Sequence, residues 1–68
     1  MFKIVVKIIE VIGMSDKSWE DAAKDAVESA AKTVKNITGV DVIHFTATVK
    51  DGKIVKYKAN CKLAFIVE

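Results

Sequence analysis

Arginine is absent from this chain of 68 residues, cysteine and histidine occur once each, and only three glycines interrupt it. Each scarcity excludes something. With Cys61 alone, no disulfide forms within the chain, and a structural zinc site has too few protein ligands in one subunit. With lysine supplying every basic side chain, there is no planar fork for bidentate contacts to phosphate or guanine. The 11 basic residues stand against 9 acidic ones, a net charge of +2. That balance does not describe a nucleic-acid binder. No apolar run reaches the roughly 18 residues of a membrane-spanning helix, and no leader-like segment with a cleavage site is visible. The expectation is a soluble protein of the reducing cytoplasm, with neither membrane nor nucleic acid as partner.

What the chain does have is apolar side chains, 51% of its residues. A single domain over residues 1–68 is too small to bury that much surface by itself, so self-association is the expected sink. Residues 2–12 are rich in β-branched side chains and predict a strand. Its even positions carry Phe2, Ile4, Val6, Ile8 and Ile12, and its odd positions still hold Val5, Ile9 and Val11. A strand apolar on both faces needs cover on both. One helix covers one face; a neighbouring subunit is the natural cover for the other.

Gly13 is expected to end this strand. Ser15 or Ser18 then supplies a helix cap, with Asp21 three residues after Ser18 in capping-box spacing. The spacing predicts a helix from about Trp19 to about Asn36, with Ala22, Ala23, Ala26, Val27, Ala30, Ala31 and Val34 on one stripe. Acids in its first turn and lysines in its last suit the helix dipole. A second strand over residues 40–49, a hairpin turn at Asp51-Gly52 and a third strand over residues 54–67 complete the chain. The fold class predicted is α+β, one helix packed on a three-stranded antiparallel sheet in the order 1-3-2.

The segments Glu10-Val11-Ile12-Gly13-Met14-Ser15, Trp19-Glu20-Asp21-Ala22-Ala23, Thr33-Val34-Lys35-Asn36-Ile37 and Asp51-Gly52-Lys53, followed by Tyr57 through Phe65, stand in an order and spacing that resembles the dodecins. The resemblance covers almost the whole chain. It implies small subunits assembled into a hollow homododecamer, with flavin (FMN, FAD or riboflavin) held between facing subunits. In flavin-binding members a tryptophan at the start of the second strand sandwiches the stacked rings, and a glutamine on the third strand hydrogen-bonds them. The matching positions here are Gly39 and Lys58. Glycine has no π-face, and lysine donates but does not accept.

A two-residue turn with Lys50 opposite Lys53 sets Phe45 opposite Lys58 and Val42 opposite Cys61. On that register Ile43, Phe45, Ala47, Lys56, Lys58, Asn60 and Lys62 share one face, while Val42, His44, Tyr57, Ala59, Cys61 and Leu63 share the other. A slip of one residue exchanges the faces. The first face is either a pocket for an anionic, partly aromatic ligand or a solvated sheet surface with Phe45 plugging a subunit contact. On the second, Cys61 is either a buried small hydrophobe or a reactive thiol near His44. The stretch Lys58-Ala59-Asn60-Cys61-Lys62 is also similar to small archaeal selenium-binding proteins, which implies capture of selenium by the Cys61 thiolate.

Phosphate loops, metal clusters and Ser/His/Asp sets are all missing, so no enzyme is expected. Three readings stay open. The first is an oligomer that binds and stores a small ligand, flavin by resemblance, through Gly39, Phe45 and Lys58. In the second, selenium or another soft species binds Cys61. The third is a structural assembly without ligand.

Overall fold

The structure, a computed structural model, describes residues 3–67; the expectation for Phe2 falls outside them. Four elements follow one another: β1 (Val5–Ser15), α1 (Trp19–Ala31), β2 (Ile37–Lys50) and β3 (Lys53–Val67). β3 lies between β1 and β2 and is antiparallel to both, giving the order β1-β3-β2. This is the predicted α+β architecture. Asp51 and Gly52 join β2 to β3 with both φ angles positive, 54° and 76°. Those are the angles of a type I′ turn, whose twist matches that of the strands it joins.

Gly13 does not end the first strand. β1 runs on through it, with Gly13 paired to Ala59, Met14 to Lys58 and Ser15 to Tyr57. The glycine answers a packing demand instead. A Cβ there would overlap the Ala22 carbonyl oxygen and stand 2.9 Å from the Ala26 Cβ. The helix backbone therefore rests directly on the strand backbone. Ala22, Ala26, Ala59, Cys61 and Leu63 form the buried core at this contact, flanked by partly buried Ile9, Val11, Val27 and Val42. Leu63 is the largest of the five, and its burial contributes roughly 1.5–3 kcal/mol.

Ser18 caps α1 from an extended backbone, its Oγ accepting from the Asp21 amide at 3.0 Å. The Asp21 carboxylate turns the other way and accepts from the Ser15 hydroxyl at 2.7 Å, while Ser15 Oγ accepts from the Lys17 amide. Buried Ser15 is thus satisfied, and the end of β1 is tied to the start of α1. The other end is shorter than predicted. Regular helix stops at Ala31; Thr33 and Val34 both bond the Ala30 carbonyl. Asn36 then takes a left-handed φ of 64° and turns the chain into β2. The β-branched pair Thr33-Val34 and an asparagine that tolerates the left-handed region end the helix before Lys35. Its last turn consequently contains no lysine.

The subunit is a long, thin plate of 57 × 20 × 13 Å. Its radius of gyration, 14.2 Å, exceeds the about 11 Å of a compact chain of this length. Its accessible surface is 5334 Å², against roughly 4,200 Å² for a compact monomer of this mass. Much of the excess is apolar: Val6, Ile8, Ile12 and Met14 all stand exposed on the side of β1 away from the helix.

Adding one methyl group at Gly13 should cost about 1–3 kcal/mol or more, because backbone has to move, whereas Gly39→Ala meets only the Ala64 Cβ at 3.9 Å. Urea unfolding should show a lowered midpoint for Gly13→Ala and a change of less than about 1 kcal/mol for Gly39→Ala. Equal effects at the two positions would refute the close approach as the reason for Gly13.

Candidate functional site

The pairing of β2 with β3 decides which side chains share a face. Lys50 pairs with Lys53 and Val42 with Cys61, as a simple two-residue hairpin predicts. Between those points the register is shifted by one. Phe45 lies opposite Ala59, and Lys58 opposite Thr46. The ladder is irregular between Thr48 and Val49 and again between Val42 and His44. The first irregularity adds a residue to β3 and the second adds one to β2, so they exchange the faces between them and cancel from Val42 to Gly39; a third lies between Gly39 and Ile37. Bulges re-aim side chains in this way.

The correction moves two candidate residues. Phe45 joins the helix side of the sheet, where its ring centroid stands 6.3 Å from that of Trp19. His44 pairs with Asn60 on the opposite, uncovered side, away from buried Cys61. The structure therefore separates Phe45 from Lys58 and His44 from Cys61.

Cys61 is 1% exposed and its Sγ lies 3.7 Å from the Ala59 carbonyl oxygen, toward which the thiol donates. Burial pushes its pKa up, disfavouring the thiolate. A soft ligand needs that thiolate within reach. Packed among Ala59, Leu63 and the alanines of α1, the side chain behaves as a small hydrophobe.

The uncovered side brings together the remaining candidates. Across the three strands, Ile8, Ala64 and Gly39 form one row; Glu10, Lys62 and Asp41 form the next; Ile12, Asn60 and His44 follow, then Met14, Lys58 and Thr46. Ala64 and Gly39 are small neighbours between larger side chains. They leave a shallow, open hollow of about 450 Å³ bounded by Ile8, Gly39, Val40, Asp41, Lys62 and Ala64. Its floor is apolar, and a carboxylate and an ammonium group stand at its rim.

Gly39 and Lys58 share this side but not one site. Ala64, the partner of Gly39, is six residues from Lys58 along β3, a span of about 20 Å at ~3.4 Å per residue. Lysine at position 58 remains exposed enough to reach a neighbour, since its residue is only half-buried.

Sequence reasoning missed the convergence of Trp19, Tyr57 and Phe45. The Trp19 ring stands edge-on to Tyr57 at 4.9 Å, and its Nε1–H donates to the Thr46 carbonyl at 2.8 Å. Only the bulge brings Phe45 to that place, and no local pattern announced it. Among the described residues, no group of three or more histidine, cysteine, aspartate or glutamate side chains is arranged to hold a metal ion. No helix among them is long and apolar enough to cross a membrane.

Comparison with known proteins agrees with this architecture. A calcium dodecin of Mycobacterium tuberculosis is 34% identical over 61 residues, covering 90% of this chain and 86% of that protein. Its crystal structure, described as a calcium-chelating immunodominant antigen with a calcium-binding site, superposes with a TM-score of 0.82 at 37% identity over 94% of this chain and 91% of that one. The dodecin of Streptomyces coelicolor matches at a TM-score of 0.95 and 25% identity, covering 100% of this chain and 97% of the other. A Thermus thermophilus protein shares the fold at a TM-score of 0.92 and 24% identity, with 97% of each chain covered. The model of the Dodecin family matches residues 5–68, and with a relative above 30% identical over most of both lengths, the chain belongs to the dodecin family.

Proposed function

We propose that this subunit works as part of a homo-oligomer, a dodecamer, that binds and stores a small ligand at contacts between facing copies. The observation that carries this reading is the uncovered sheet face. It is apolar enough to require a partner, and it sets Gly39 and Lys58 about 20 Å apart, too far for one planar ring system to touch both, whereas a facing copy brings a second set of these residues to the same contact. Such a site needs no catalytic group, and the chain acts as a binding protein rather than an enzyme.

The ligand this arrangement suits is a flavin held without an indole sandwich. Where flavin-binding relatives place tryptophan, this chain leaves the hollow over Gly39 and Ala64. A planar, partly aromatic ring system fits against that floor. Lys62 and Lys58 attract the phosphate of a flavin nucleotide, each as a single ammonium charge. Loss of ring stacking lowers affinity by about 0.5–1.5 kcal/mol per aromatic pair. Flavin binding is therefore weaker here than in a subunit with tryptophan at this position. Phe45, on the helix side of the sheet, takes no part.

Low-energy native mass spectrometry should show twelve subunits; a monomer at micromolar concentration would remove the basis for a shared site. Titration of riboflavin and FMN should give saturable quenching of flavin fluorescence in the micromolar range. Gly39→Trp, for which the backbone has room, should bind at least ten times more tightly, and Cys61→Ser should leave binding unchanged. Absence of any flavin signal at high micromolar concentration would sink the flavin assignment. In that case calorimetry with calcium chloride decides whether the chain shares the ligand named for its Mycobacterium tuberculosis relative.

A further inference from the structure

The helix side of the sheet carries a second hollow, unrelated to the face on which Gly39 lies. It measures about 490 Å³ and is lined by Trp19, Glu20 and Phe45. In the single subunit the rings are accessible, Trp19 being 37% and Phe45 56% exposed. They are also held in place. The indole Nε1–H is spent on the Thr46 carbonyl at 2.8 Å, and Tyr57 braces the ring edge-on at 4.9 Å.

The chemistry of this hollow has one sign. With its N–H engaged, Trp19 offers only carbon, and the faces of indole and phenyl rings carry negative quadrupole charge. Glu20 adds a full negative charge at the rim. The partial positive charge of the α1 N-terminus, about half an elementary charge, is outweighed by the full charge of Glu20 in the first turn. The Asp21 amide is already taken by Ser18. No lysine lines the hollow. An anion meets repulsion here, and a neutral apolar ligand leaves the Glu20 carboxylate unanswered.

We propose that the hollow formed by Trp19, Phe45 and Glu20 binds a small organic cation of the alkylammonium or quaternary ammonium class. The ring carbons meet its methyl groups, and cation–π attraction acts together with the Glu20 charge. The bulge that turns Phe45 to the helix side builds this site, because the uninterrupted register would place Phe45 on the opposite face. The site is independent of the flavin-binding reading, and either stands if the other fails.

Trp19 is the only tryptophan in the chain, so its emission reports the site directly. Tetramethylammonium chloride titrated into the assembled protein at constant ionic strength should produce a saturable change in that emission. The isosteric neutral probe tert-butanol should bind at least ten times more weakly. Glu20→Gln and Phe45→Leu should each weaken tetramethylammonium binding at least fivefold, with circular dichroism unchanged. Glu20 is exposed on the helix surface, so its variant keeps the test valid even if Phe45→Leu does not fold. No saturable change, equal binding of the neutral probe, or an unaffected Glu20→Gln variant would each overturn the proposal.

Discussion

The contact between the backbone of α1 and the backbone of β1 at Gly13 governs this subunit. No side chain separates the two elements there, and Ala22, Ala26 and Ala59 around the contact are themselves small. Close approach leaves little volume between helix and sheet, and little volume means few large buried side chains. Among the described residues only Leu63 and Cys61 are both sizeable and fully enclosed. The layer that results is 13 Å thick in its shortest dimension. A core so shallow gives a domain of this size little stability of its own, and the apolar residues it does not use remain on the surface.

Where those residues stand follows from the placement of the helix. α1 lies over β1 and β3 and barely reaches β2. The far side of the sheet is therefore bare along its whole length, and the helix side is bare along β2 and the hairpin, where Val40, Phe45 and Val49 are exposed. Two surfaces of different character arise from one packing decision. The far side mixes aliphatic rows with alternating charge, Glu10, Lys62 and Asp41 in line across the strands. Beside β2 the surface is aromatic, and acidic where α1 begins. Exposed apolar area of this extent on so small a chain implies assembly.

The kinds of element, their order and the turn at Asp51-Gly52 were legible because each rests on local chemistry: β-branched runs, alanine at helical spacing, a serine cap, and a residue pair suited to positive φ. Alternation is local too, and the buried Ala59, Cys61 and Leu63 share the side of β3 that meets the helix. Three features were not local and were misjudged. Gly13 looks like a strand breaker by propensity, yet the ladder continues through it because the helix demands its empty side. Val34 keeps the apolar period and so carries the helical pattern on to Asn36, although regular helix stops at Ala31. Phe45 and His44 exchange faces because two bulges insert one residue each. A bulge depends on what the strand packs against, and alternation alone does not reveal it. Site residues chosen from the uninterrupted register were accordingly split between two sides of the sheet.

The two glycines of the sheet show why such a fold keeps its shape while its ligand changes. A side chain at Gly13 collides with helix backbone, so the architecture itself holds that position to glycine. At Gly39 the nearest atom to an added Cβ is another Cβ at 3.9 Å, ordinary contact distance. The backbone there is not in the left-handed region. Nothing in the subunit's own packing selects glycine, tryptophan or any other residue at that place. What stands at Gly39 answers only to whatever lies against the uncovered face, a ligand or a second copy. Packing holds Gly13 and leaves Gly39 unconstrained, on opposite sides of the same sheet. Substitutions at Gly39 can therefore remodel the uncovered face at almost no cost to the fold.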